Sequence, residues 1–185
     1  MTSTTIPTGL GSEAAASSGV TLRTLDRGEA AVVLAVFAGM GPRSRALRFL
    51  APKPRLTGGD VRRLAAVDQH DHVAVLASSA HDGLPVGIAR FIRDRDVPQS
   101  AELALDVVDQ WQGRGVGTLL LDAIVRRAVA LGVRRATVLV SSDNVAVLRL
   151  LARFPGGAVS SVGVERGVAE YAVSLTAPSW TEVST

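Results

Sequence analysis

Gly113, Gly115 and Gly117 alternate with Arg114 and Val116 just ahead of a long apolar-periodic run. A helix that starts here offers several backbone N–H groups without intrahelical partners and a partial positive charge. Glycine has no Cβ, so an anion can come close to the main chain. Gln112 to Thr118 therefore reads as a cradle in which main-chain amides hold a phosphate or pyrophosphate, with Arg114 adding charge at the rim. Two familiar phosphate motifs do not fit. A P-loop needs Lys followed by Ser or Thr after its final glycine, whereas Gly117 is followed by Thr118-Leu119-Leu120. A dinucleotide fingerprint needs wider glycine spacing and an acidic residue about 20 positions later, where this chain reads Val138-Leu139-Val140. A second chemistry-bearing cluster is His70-Asp71-His72. Its two imidazoles would point the same way from an extended segment, but no third ligand is evident and no metal is expected. Cysteine is absent, which removes disulfides, thiolate metal sites and a cysteine nucleophile.

The elements around the cradle can be read from periodicity and punctuation. Val20–Leu25 alternates as a strand. Asp26, with Glu29 three residues on, reads as a capping box opening a helix to about Ala38. Gly39 to Leu56 reads as a loop, a short helix over 44–50 and a Pro-rich break. Asp60 is expected to cap a helix over 60–67. Strands are predicted at 72–78 and 85–93, joined across His81-Asp82-Gly83, and again at 100–108. After the glycines a helix runs to Leu131 with an apolar stripe of Val116, Leu119, Leu120, Ala123, Ile124 and Leu131, and Gly132 is placed to end it. A strand at 135–140, a helix at 145–154 stopped by Pro155-Gly156-Gly157, and a hairpin of 158–165 and 168–175 across Arg166-Gly167 complete the chain. Helices and strands mix around a central βαβ unit, so the fold class is α/β or α+β in one domain. The domain is expected over 20–176, with a flexible tail at 1–19 and a second tail at 177–185.

Composition narrows the function. At 185 residues and 47% apolar the chain can bury a sizeable core. Its net charge of +3 is too small to suggest nucleic-acid binding. Lys53 is the only lysine among 20 basic residues, and the arginines read by default as a solvated surface. No window approaches the run of about 18 apolar residues that crosses a membrane, and the first 19 residues lack the basic and apolar regions of a secretory signal. A cytoplasmic location, no membrane partner and no nucleic-acid partner are the expectation.

The spacing that does fit is Q/R-x-x-G-x-G/A, filled by Gln112, Gly115 and Gly117. Together with the preceding strand, the helix, the next strand and Asn144 opening a second helix, residues 102–154 resemble the coenzyme-binding core of the GCN5-related N-acetyltransferase (GNAT) superfamily. The similarity extends over roughly 20–175. Arg43 to Ala77, with its Arg-Phe segment, Pro-Lys-Pro-Arg-Leu break and His-Asp before a strand, resembles in particular the acetyltransferase domains of bacterial protein-lysine acetyltransferases. The resemblance implies a central, mixed, mostly antiparallel sheet of about seven strands flanked by about four helices. It implies an acyltransferase using acetyl-CoA as co-substrate, without metal, on an amine acceptor for which protein lysine is the first expectation. A small amine, or a non-catalytic acyl-CoA sensor, is the alternative. Oligomeric state stays open, a homodimer included.

Residue roles follow from the same resemblance. Glu102, on the strand before the glycines, matches the position of the general base. A buried or partly desolvated carboxylate suits that task, and the competing reading is a solvated charge. Asp106 shares its face, on the order of 13 Å along the strand. The main chain of Leu105 and Val107 would hold the pantetheine arm. Gln112, Gly113, Arg114, Gly115, Val116, Gly117 and Thr118 would hold the phosphates. Asn144 would lie near the coenzyme arm or simply cap its helix. Many relatives carry a Tyr in the second helix to protonate the leaving thiolate; this chain reads Asn144-Val145-Ala146-Val147-Leu148 there, and its only Tyr, Tyr171, is expected to pack. Arg43, Arg45, Arg48 and Arg55 lie in the segment that lines the acceptor side of relatives.

Overall fold

The computed structural model describes residues 19–154 and 157–176. Residues 1–18 of the tail expected at 1–19, the tail expected at 177–185, and Pro155-Gly156 of the expected helix stop lie outside the described residues. Among the described residues seven strands form one sheet: β1 (Val20–Thr24), β2 (His72–Ser79), β3 (Pro85–Arg93), β4 (Ser100–Val107), β5 (Arg135–Ser141), β6 (Val159–Glu165) and β7 (Val168–Ser174). Their spatial order is β1-β2-β3-β4-β5-β7-β6. All neighbours are antiparallel except β4 and β5, which run parallel. Among the described residues five α-helices accompany the sheet: α1 (Ala30–Ala38), α2 (Pro42–Phe49), α3 (Gly58–Leu64), α4 (Val116–Ala130) and α5 (Val145–Ala152). None of the described helices is long and apolar enough to cross a membrane. The mixed, mostly antiparallel sheet matches the expected fold class, with one helix more than anticipated.

The core divides into two layers because β2 and β3 are covered on both faces, and their sequences read as nearly continuous apolar runs for that reason. On one face Val73, Val75, Ala89, Phe91 and Leu103 pack against Leu120, Ile124 and Ala128 of α4. On the other, Ala74, Leu76 and Ile88 pack against Val33, Val36 and Leu64 of α1 and α3. Burying each large side chain contributes about 1.5–3 kcal/mol. The stripe of α4 is wider than expected. Val116, Leu120 and Ile124 are buried, but so are Leu121, Val125 and Ala128, while Leu119, Ala123 and Leu131 are only partly covered.

Helix ends follow local chemistry, with two corrections. Asp60 does not cap α3. Thr57 is its N-cap, accepting from the Asp60 N–H, and Asp60 supplies the return half of the capping box. The first helix begins at Ala30, not next to Asp26; only the Glu29 half of that box forms, accepting from the Asp26 N–H at 2.7 Å while also pairing with Arg23. At the turn after α4, Gly132 takes a left-handed φ of 86°, as its place in the sequence predicts.

Candidate functional site

The parallel pair decides where a ligand can enter. β4 and β5 are in register at only three positions, Ser100 with Arg135, Ala101 with Ala136 and Glu102 with Thr137. Beyond Glu102 the two strands part, although β4 stays paired with β3 through Val107 and β5 with β7 through Ser141. The sheet therefore has a wedge-shaped opening in its middle. The Val108 N–H donates to the Val86 carbonyl at 2.9 Å. By the two-residue alternation of an antiparallel ladder, residues 102, 104 and 106 turn their main-chain groups toward β3. Leu103, Leu105 and Val107 turn theirs into the opening. The structure thus places Leu105 and Val107 where an extended ligand can add to the strand edge. The Val107 carbonyl already accepts from Gln112 Nε2 at 3.1 Å.

Both helices that follow the parallel strands start at the same end of the opening. α4 follows β4 and α5 follows β5, so their N-termini bracket its mouth. A Cβ built on Gly117 would lie 3.5 Å from Leu105 Cδ2 and 3.9 Å from Leu150 Cδ2, so the start of α4 touches both β4 and α5. No side chain caps α4. The Leu119 N–H closes the first helical bond to Gly115, which leaves the amides of Val116, Gly117 and Thr118 without an intrahelical acceptor. Gly113 and Gly115 adopt φ of 74° and 82°, and a Cβ on either would meet nothing within 4 Å. The main chain there is open, a concavity that fits a phosphate. The residues expected to hold the phosphates divide by role. Val116 has its side chain fully buried and offers only its amide. Gln112 is exposed, and its Nε2 donates to the Val107 carbonyl, Asp109 Oδ1 and Ser44 Oγ. Arg114 is exposed, its guanidinium 5.2 Å from the Trp111 ring centroid. Asn144 caps α5, its Oδ1 accepting from the Val147 N–H at 3.2 Å, which leaves its amide NH2 available.

Glu102 lies at the apex of the wedge. It is exposed, and its side chain makes no hydrogen bond or ion pair with the described residues. Its register neighbours are Ile92 on β3 and Thr137 on β5. Ile92, and Leu139 two residues beyond Thr137, are both exposed apolar side chains. The desolvation expected for a base is not present before ligands bind. Asp106, on the same face, is buried instead, with Arg48 Nε 2.6 Å from its Oδ1. Beside it Arg90 is 2% exposed; its Nη1 donates to the Leu64 carbonyl at 2.8 Å and its Nε has no partner among the described residues. Burial lowers the Arg90 guanidinium to about 10, with Asp106 opposing that shift, so it remains charged at neutral pH. A small cavity lined by Arg90, Asp106, Phe37, Phe49 and Leu64 lies beneath α1 and α2.

The arginines expected on the acceptor side separate in the same way. Arg45 is structural, donating to the carbonyls of Phe37, Ala38 and Pro54 and stacking on the Phe37 ring at 4.2 Å. Arg48 is committed to Asp106, while Arg43 and Arg55 are exposed. The two histidines part company. His72 is buried at the start of β2, 3.5 Å from Arg90 Nη1, and burial first, then the Arg90 charge, lowers its pKa. His70 is exposed beside Asp71. No group of three His, Cys, Asp or Glu side chains among the described residues could hold a metal. Tyr171 packs in an apolar groove with Leu148, Leu151 and Phe154. Sequence reasoning passed over Ser44, Arg90 and Asp109. The Gly39-Met40-Gly41 turn hints at Asp109 alone, because its two glycines permit a close approach to Val108 and Asp109.

Known proteins share this arrangement. The Acetyltransferase (GNAT) family model matches residues 45–154, more than half of the chain. The GNAT domain of S. lividans PAT superposes with a TM-score of 0.75 at 27% identity, covering 84% of this chain and 90% of that domain. A cAMP-binding acyltransferase from Mycobacterium smegmatis superposes at 0.58 with 25% identity, covering 84% of this chain and 44% of that one. In sequence, Acetyltransferase Pat of Mycolicibacterium smegmatis is 35% identical over 90 residues, 49% of this chain but 27% of that protein's length. The split sheet, the two helix N-termini at its mouth and the matched family model lead to one assignment: the chain belongs to the acetyltransferase (GNAT) family.

Proposed function

We propose that the chain transfers an acetyl group from acetyl-CoA, the co-substrate of its family, to a primary amine, with protein lysine as the first acceptor class. The observation that carries this reading is the parting of β4 from β5 just beyond Glu102. A pantetheine arm laid along Leu105 and Val107 would point its thioester toward that apex. The diphosphate would meet the amides of residues 116–118, with Gly113 and Gly115 admitting it to the main chain and Arg114 at the rim. The remaining NH2 of Asn144, at the head of α5, would be free to meet the coenzyme arm at the same mouth. Lysine is favoured as acceptor by the resemblance of Arg43–Ala77 to protein-lysine acetyltransferases.

In this reading Glu102 accepts the proton of the attacking amine, directly or through one water. A nitrogen–carbon bond forms at the acyl carbonyl, the carbon–sulfur bond breaks, and the thiolate leaves with its electron pair. A thiolate is a fair leaving group, and no tyrosine on α5 protonates it. Ile92 and Leu139 give the substrates an apolar surface to cover, and that coverage would strip water from Glu102 and raise its proton affinity. The experiment is thiol release from acetyl-CoA across a panel of proteins and small amines, for the wild type and Glu102→Gln. The variant is expected to keep acetyl-CoA affinity and to lose about 10²-fold or more in kcat at neutral pH, with partial recovery at high pH. Unchanged turnover removes Glu102 as base. Tight coenzyme binding with no turnover on any acceptor would make the chain an acyl-CoA sensor.

A further inference from the structure

A carboxylate beside an anion cradle needs a reason, because it repels the ligand the cradle is shaped for. Asp109 is such a group, placed between β4 and the glycine loop, and both of its oxygens are engaged. Oδ2 accepts from the Gly41 N–H at 3.0 Å and Oδ1 from Gln112 Nε2 at 3.2 Å. The main chain joins at the same place, the Asp109 N–H donating to the Gly39 carbonyl at 3.1 Å. The turn between α1 and α2 is pressed close here. A Cβ on Gly39 would come within 2.7 Å of Val108 Cγ1, and one on Gly41 within 2.7 Å of Asp109 Oδ2.

What this holds is α2, a helix with no buried residue. Its apolar hold is partial: Phe49 meets Phe37 edge-on at 5.8 Å and Arg45 bonds the Phe37, Ala38 and Pro54 carbonyls, all on the α1 side, so its place against the substrate site depends on further polar ties. Two of them lead to the loop that would carry the diphosphate: Gly41 through Asp109, and Ser44, whose Oγ accepts from Gln112 Nε2 at 3.3 Å. A third, from Arg48, reaches Asp106 on the face of β4 that also bears Glu102. The helix also approaches β5, so it lies across the opening on the side from which an amine would reach Glu102.

We propose that Asp109 is a positioning residue that ties α2 to the phosphate-binding loop, so that acetyl-CoA bound at the loop sets the acceptor-side wall of the site. The inference rests on the transferase reading for its acceptor, but not for its mechanics. Amide hydrogen exchange on the apo protein tests the tie directly. Asp109→Ala is expected to speed exchange at residues 41–48 by roughly tenfold or more, Asp109→Asn by less, since one amide oxygen still accepts, and Ser44→Ala at the same amides. In the wild type acetyl-CoA adds protection at 41–48; in Asp109→Ala it does not. In turnover, Asp109→Ala raises the acceptor KM by about tenfold while acetyl-CoA affinity holds within about threefold, with partial rescue in Asp109→Asn. Wild-type exchange at 41–48 in Asp109→Ala overturns the proposal. So does a fall in acetyl-CoA affinity with the acceptor KM unchanged, which would make Asp109 a coenzyme contact. If the wild type acetylates nothing, the transferase reading fails while the exchange data still decide the tie.

Discussion

Asp106→Asn probes the buried charge cluster beneath the site. The Asp106 side chain is 10% exposed and faces two guanidiniums, Arg48 at 20% and the almost fully buried Arg90. Among the described residues it is the only acidic one lining their cavity. Replacing it with a neutral amide of equal size creates no void, so the change isolates charge. Two cations are then left in a poorly solvated space, and one of them cannot turn to water. Losing one partner of a buried pair costs about 3–5 kcal/mol, a large share of the 5–15 kcal/mol that typically separates folded from unfolded domains. At about 2–4 °C per kcal/mol for a chain of this size, the melting point should fall by about 6–20 °C. Arg48→Met should cost less, about 1–3 kcal/mol, because Asp106 keeps the attraction of Arg90. Urea unfolding followed by circular dichroism at neutral pH, at low and high salt, measures both. The Asp106→Asn loss should change little with salt, since a buried pair is weakly screened. A loss under about 0.5 kcal/mol, or one no larger than that of Arg48→Met, would refute the view that Asp106 neutralises Arg90.

Two further outcomes are expected. Gly115→Val places a β-branched residue at a φ of 82° with open space around its Cβ. The strain should cost roughly 1–3 kcal/mol and leave the fold intact, while acetyl-CoA affinity by calorimetry should drop by at least about tenfold through intrusion at the diphosphate. A folded variant that binds as tightly as the wild type would move the phosphates elsewhere. His72 has a pKa below its ordinary 6.5 because burial and then Arg90 disfavour its charged form. Below about pH 6.5 the unfolded chain therefore binds the proton more readily, so stability should fall as pH drops from 6.5 toward the folded value. His72→Gln should flatten that slope, and an unchanged slope would place the titration at another group.

Much of this site is legible in the amino-acid sequence. The glycines at 113, 115 and 117 and the apolar period after them specify an uncapped helix with open main chain at its head, because left-handed φ and unpaired amides are local properties of the chain. The alternation of Glu102 with Leu103 and Leu105 sets its face, and in the folded sheet that position falls in register with Ile92 and Thr137. The capping boxes are legible in composition but displaced by a few residues. Ser, Thr and Asp all suit several cap positions, and packing chooses among them. Other features cannot be read from the sequence, because they depend on partners far apart in the chain. The parting of β4 and β5 after three paired residues, with the start of α4 set between Leu105 of β4 and Leu150 of α5, is one of these. Asp106 and Glu102, two carboxylates on one strand face, differ because α2 covers one and not the other. Asp109 meets Gly41 and Gln112 meets Ser44 across 68 positions of sequence in each case. Local sequence thus determined the conformations of the loop and its helix, whose energies are settled within a few residues. The wedge, the burial of charge and the tie between the two substrate sides were decided by tertiary packing, since solvation and long-range contact exist only once the sheet has formed.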